Sequence, residues 1–206
     1  KKERKEVACF MRRLYYHGLT TTSGGNISCR ISDKIILITP SATDKGTMRW
    51  KEVGIMTILG DNLTPDLKPS IESGMHLSIY KKKKEVKAIV HAHPVFASSF
   101  TAMKCKIDTN LTAEACAILG DPLMVPYALM GTSDLAKIVS ENSLKSDILL
   151  LENHGILTTG SNLLQAFDNI EVLDNPAIMI LIAGWKRNKC PFNTSKCWRQ
   201  YSGRLL

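Results

Sequence analysis

The side chains most able to do chemistry in this chain are its five histidines, His17, His76, His91, His93 and His154. Two of them stand two positions apart in Ala88-Ile89-Val90-His91-Ala92-His93, an apolar stretch that reads as a buried strand. Residues i and i+2 of a strand face the same side, so both imidazoles project into one space. Two polar rings on a buried face are costly unless something satisfies them, either a metal ion or hydrogen bonds within the core. His154 favours the metal. It lies in Glu152-Asn153-His154-Gly155, a turn between two short apolar runs, where glycine permits a tight backbone. A third imidazole there completes three protein ligands with an open position, the arrangement of a catalytic zinc site rather than a closed structural one. His17 reads instead as a cation at a helix C-terminus, and His76 as a helix residue packing or hydrogen-bonding near the site.

Glu72 follows from Lys68-Pro69-Ser70-Ile71-Glu72, which opens a helix. The helix dipole alone favours a carboxylate in that first turn. In the company of the histidines it is also a candidate general acid and base. A third set of segments suits an anion: Thr22-Ser23-Gly24-Gly25-Asn26-Ile27-Ser28, Thr39-Pro40-Ser41-Ala42 and Pro69-Ser70. Each offers backbone N–H groups and small side-chain donors of the kind that hold a phosphate. Neither a Walker loop nor a dinucleotide fingerprint is present, which argues against a nucleotide.

These groups need elements to position them. Lys2 to His17 has apolar residues at Val7, Phe10, Met11 and Leu14 and then Gly18, an amphipathic helix with its stop. Ile35 to Thr39 reads as a strand ended by Pro40, and Glu52 to Leu59 with Leu63-Thr64 as short strands around a Gly60-Asp61-Asn62 turn. A helix runs from Pro69-Ser70 to about Lys83, a strand over Val86 to His93, and a helix over Val95 to Ala102. Asp147 to Leu151 and Ile156 to Thr159 pair around the His154 turn. Ser133 or Asp134 caps a helix ending at Asn142, and Asn162 caps a long one from Leu163, with a kink or break expected before Pro176. Strands and helices interleave without regular βαβ spacing. That favours a mixed or mainly antiparallel sheet with helices on its faces.

The chain has 206 residues, 44% hydrophobic and 22% charged, values that suit one globular domain over residues 1–206 and exclude disorder or a disulfide miniprotein. The formal charge of +8 invites a nucleic-acid reading. Its distribution does not support one. Residues 1–5 carry +3, Lys81 to Lys84 carry +4 and the residues after Trp185 carry +6, so the rest of the chain is acidic. The six cysteines form no C-x-x-C pair and read as reduced thiols, several of them buried. The longest apolar run is too short to span a bilayer, and no apolar stretch follows the charged first residues, so no membrane partner and a cytoplasmic location are expected.

Taken in order, Ser23-Gly24-Gly25-Asn26-Ile27-Ser28, Ile38-Thr39-Pro40-Ser41, Pro69-Ser70-Ile71-Glu72, His91-Ala92-His93-Pro94 and Glu152-Asn153-His154-Gly155 resemble the class II aldolase/adducin family over nearly the whole chain. The resemblance implies a three-layer α/β/α sandwich around a mainly antiparallel sheet, and a homotetramer with active sites between subunits. It implies one zinc per subunit on His91, His93 and His154, with Glu72 as general acid/base. Asn26, Ser41, Ser70 and the Gly25 backbone become the phosphate cradle, and Tyr201 matches a C-terminal catalytic tyrosine. The implied reaction is reversible cleavage of a ketose 1-phosphate, first of all L-fuculose 1-phosphate, to dihydroxyacetone phosphate and L-lactaldehyde. Related sugar-phosphate 4-epimerases carry aspartate where Glu72 stands, so glutamate favours the aldolase. A methylthioribulose-phosphate dehydratase and a non-catalytic adducin-like head are the alternatives, the latter disfavoured by the three retained histidines. Three departures from the family pattern stand out: Ile71 for a second serine, Ala42 for a glycine, and Thr112 for a mid-chain tyrosine.

Overall fold

A computed structural model describes residues 1–185. Tyr201, Cys190 and Cys197 lie outside the described residues. Within them the chain forms an α/β fold with six α-helices and seven strands: α1 Lys2–Tyr16, β1 Asn26–Arg30, β2 Ile35–Ile38, β3 Gly54–Thr57, α2 Ser73–Lys82, β4 Ala88–Ala92, α3 Val95–Met103, α4 Ala113–Leu119, β5 Leu123–Val125, α5 Ser133–Asn142, β6 Ile148–Leu151, β7 Gly155–Gly160 and α6 Leu163–Trp185.

The strands make one sheet in the order β3-β2-β1-β4-β7-β6-β5. Neighbours pair antiparallel except β5 and β6, which run parallel. Side chains alternate between the two faces of each strand, and both faces are covered. On one face Ile27, Leu37, Ala88, Val90 and Ala92 pack with Val7, Met11 and Leu14 of α1 and Phe167 and Ile170 of α6. On the other, Ile36, Ile38, Ile89, Leu149 and Leu157 pack with Met75 and Ile79 of α2 and Leu135 and Val139 of α5. A third cluster joins Ile148, Leu150 and Ile156 to Phe100 of α3, Leu119 of α4 and Leu173 of α6. Burial on both faces makes β4 read as a continuous apolar run, with His91 as its polar exception.

Several boundaries differ from the sequence expectation, each for a local reason. The segment from Asn26 is strand rather than loop. Its polar face is buried, with Ser28 Oγ 2.6 Å from His76 Nδ1 and 2.9 Å from Tyr80 Oη, and Arg30 donating to the carbonyls of Val86 and Tyr80. The hairpin expected after β3 shrinks to a single bridge between Met56 and Asn62. α5 is capped by Thr132, whose hydroxyl accepts from the Leu135 N–H, rather than by Ser133 or Asp134. Asn162 does cap α6, accepting from the Gln165 N–H at 2.9 Å. That helix runs unbroken through Pro176, so no break occurs at Asp174-Asn175. Of the four described cysteines none is fully buried: Cys9 and Cys105 are exposed, and Cys29 and Cys116 half-buried.

The loop after β2 carries visible strain. Ala42 has φ +53°, in the left-handed region that costs a non-glycine residue about 1–2 kcal/mol. Glycine would relieve that cost and add about 0.4–1 kcal/mol of unfolded-state entropy, so Ala42→Gly is expected to hold or raise stability by up to about 1 kcal/mol. Urea unfolding measures it. A fall in the unfolding midpoint would contradict the assigned backbone conformation.

Candidate metal centre

The site sits at the end of the sheet where β4 finishes and β1 and β7 begin. In that register Asn26 lies opposite His91 and Ala92 opposite Ile156. His91 is fully buried near the end of β4, and its Nδ1 is 2.9 Å from the Ile156 carbonyl oxygen. Donation to that carbonyl fixes the tautomer and leaves Nε2 as the lone-pair nitrogen. His93 lies just beyond the strand, its backbone N–H donating to the Leu19 carbonyl. Its ring nevertheless comes back to the same space, with Nε2 3.1 Å from His91 Nε2. His154 arrives from the tight β6–β7 turn, where Asn153 takes φ +52°. One nitrogen from each ring falls within 4.8 Å of the others.

Gly155 makes this convergence possible. A Cβ there would stand 2.5 Å from His93 Cδ2 and 2.7 Å from the Ala92 carbonyl oxygen, distances at which atoms overlap. Gly25, at φ +64°, is similarly confined, since its Cβ would meet Thr20 Oγ1 at 2.8 Å and the His91 carbonyl oxygen at 2.9 Å.

Glu72 completes the cluster. It occupies the N-cap position of α2 rather than its first turn, yet its side chain makes no cap hydrogen bond. The carboxylate turns to the imidazoles, with Oε1 2.9 Å from His154 Nε2 and Oε2 3.4 Å from His91 Nε2. Asn26 Nδ2 donates to Glu72 Oε2 at 2.7 Å and to Ser70 Oγ at 3.1 Å. Burial pushes the Glu72 carboxyl up, but the His91 and His154 rings and the Asn26 amide together outweigh it and hold the group below the usual carboxylate range. Burial draws His91 down to about 4 and His93 to about 3. Both rings are therefore neutral at pH 7, the form in which imidazole ligates a metal. The donor set suits a borderline ion: three imidazoles with a carboxylate beside the open side.

The cluster opens into a cleft of about 390 Å³ bordered by Ser23, Gly24, Gly25, Asn26, Ser41, Ser70, Glu72, His93 and His154. All three segments expected to bind an anion thus meet the histidines. A larger hollow of about 640 Å³ beside Arg12 and Trp50 does not border them. Ser41 is partly committed, since its Oγ accepts from the Ile71 N–H at 3.1 Å. Thr112 is not among the groups bordering the cleft; its hydroxyl caps α4 by accepting from Ala115 N at 3.1 Å. His76 stays out of the cluster, bound to Ser28, and His17 ends α1 with Nδ1 2.5 Å from Glu171 Oε1. Sequence reasoning missed two cleft residues, Met130 and Lys45, the latter 1% exposed. Nothing in its flanking residues Asp44 and Gly46 marks Lys45 as buried.

Residues 5–181 match the model of the Class II Aldolase and Adducin N-terminal domain. The chain belongs to that family, and it is an enzyme of the metal-dependent lyase kind. It is similar to a 3-oxo-tetronate 4-phosphate decarboxylase of Haemophilus influenzae, 35% identical over 173 residues that cover 81% of this chain and 80% of that protein. Equal identity over 173 residues, 84% of this chain and 92% of the relative, links it to an L-fuculose phosphate aldolase of Methanococcus vannielii. Among solved structures, an L-fuculose 1-phosphate aldolase superposes with a TM-score of 0.84 at 27% identity, covering 93% of this chain and 91% of that one.

Gly155→Ala tests the packing behind this class II aldolase-family site. It is expected to weaken metal retention about 10–100-fold with the fold kept, measured by competition against a chelator. Metal affinity equal to the parent's would contradict the role given to the missing side chain.

Proposed function

We propose that this protein is a zinc-dependent aldolase that reversibly cleaves a ketose 1-phosphate, with L-fuculose 1-phosphate as the first substrate to try, giving dihydroxyacetone phosphate and L-lactaldehyde. The observation that carries the reading is one cleft holding both a three-imidazole cluster with Glu72 against it and the hydroxyl and amide donors of three loops. His91, His93 and His154 would hold one zinc, which when bound supplies Lewis acidity to the ketose oxygens.

The chain's own residues do the rest. In cleavage Glu72 delivers a proton to the carbon freed when the C–C bond breaks, which completes dihydroxyacetone phosphate; in the reverse direction the carboxylate takes that proton back from the same carbon. Asn26 orients that carboxylate through its amide hydrogen bond. Ser70, Ser41 and the Gly25 backbone border the end of the cleft suited to the phosphate. Tyr201 is proposed to protonate the aldehyde-derived oxygen, from its own chain or a neighbour's. A homotetramer with sites between subunits fits the exposed apolar side chains Ile71 and Met130 at the cleft, which a partner would cover. The described residues read as one catalytic domain, a three-layer sandwich about a mainly antiparallel sheet. Helices against both sheet faces support that description. Among the described residues no helix is long and apolar enough to cross a membrane, and a cytoplasmic enzyme is consistent with that.

A second reading rests on the decarboxylase relative, at 35% identity. The same Lewis-acid site would then serve loss of carbon dioxide from a 3-oxo acid phosphate. Parallel assays for dihydroxyacetone phosphate release and carbon dioxide release separate the two.

Glu72→Gln keeps the size of the side chain but cannot take up a proton. Turnover is expected to fall by about a hundredfold or more with zinc content unchanged, as read by a coupled assay and metal analysis. A variant turning over like the parent would place the proton transfer elsewhere.

A further inference from the structure

Lys45 lies on the loop after β2 and is 1% exposed. Its Nζ donates to the Pro40 carbonyl at 2.6 Å and to Thr43 Oγ1 at 3.3 Å. A lysine ammonium has three N–H donors, so one is left over. Among the described residues no carboxylate lies within 4.0 Å of it, whereas Lys82, Lys83 and Lys104 each have an acidic partner. Burial without a counter-charge draws its pKa down to about 8, which still leaves it largely protonated at pH 7. A buried, unpaired ammonium is expensive to keep. It becomes intelligible where an anion arrives to complete it.

The cleft indicates which anion. Lys45 borders it together with Ser23, Ser41 and Ser70, whose hydroxyls are hydrogen-bond donors, and with the Gly24-Gly25 turn, where the Gly24 N–H donates to Thr21 Oγ1 and the Gly25 N–H remains for an anion. Hydroxyls, a backbone N–H and one cation form a set for a tetrahedral dianion with several acceptor oxygens. We propose that Lys45 is the counter-charge for the phosphoryl group of the substrate and makes the enzyme selective for phosphorylated over free sugars. This inference rests on the sugar-phosphate reading of the site.

Inorganic phosphate is the probe, titrated calorimetrically into the zinc-loaded parent, Lys45→Met and Lys45→Gln. Lys45→Gln removes the charge but retains an N–H donor on a side chain one atom shorter, so it carries the test if the methionine variant fails to fold. Loss of one charge-assisted hydrogen bond is expected to weaken phosphate binding at least about tenfold. In turnover of a ketose phosphate, KM should rise by a similar factor, more than kcat falls, with zinc content unchanged. A parent that binds no phosphate, or a folded variant that binds it as tightly as the parent, overturns the inference. Binding is read without turnover. A protein that holds phosphate through Lys45 yet cleaves no ketose phosphate would therefore count against the aldolase reading alone.

Discussion

Packing a buried carboxylate against three convergent imidazoles at one end of the sheet is the constraint to which the rest of the structure answers. Glu72 is 6% exposed and His91 fully buried, so neither can rely on solvent. His91 and His93 are held neutral by burial, and their Nε2 atoms lie 3.1 Å apart, close enough to share only one proton between them. A buried negative charge facing inward-turned lone pairs is unfavourable by itself. A divalent cation among the imidazoles satisfies both at once. The cluster is thus better explained as a ligand set than as a hydrogen-bonded core.

Backbone geometry enforces that arrangement. β4 is clamped between β1 and β7, and the register that sets Asn26 opposite His91 also brings the Glu72 partner beside the ring. A one-residue slip of β4 would turn His91 to the opposite face, among the residues packed on α1 and α6. The apolar partners of β4 on both faces therefore specify the candidate metal site as firmly as the histidines do. The polar face of β1 extends the same logic inward, since Ser28 ties β1 to His76 and Tyr80 of α2, the helix whose N-cap is Glu72.

The sequence made the histidines legible because their spacing carries geometric meaning. Two residues apart on an apolar run can face only one way, and a glycine after His154 marked a tight approach. The long amphipathic helices α1 and α6 were legible for the same reason, through their apolar period and their terminal Gly18 and Asn162. β1 was not, because Asn26, Ser28 and Arg30 look like loop residues until α2 is seen to bury them. Lys45 was hidden by the ordinary expectation that lysine lies in water. Pro176 did not break α6, since a missing hydrogen bond need not end a helix packed against the sheet. Residues 186–206, which carry Tyr201, lie outside the described part.

The central claim is that one metal ion on His91, His93 and His154 is required for catalysis. The most direct test strips the protein with a chelator and titrates zinc back while following release of dihydroxyacetone phosphate from a ketose 1-phosphate. The account predicts no cleavage without metal and recovery that levels off at about one zinc per chain. Full cleavage by a verified metal-free preparation would contradict it.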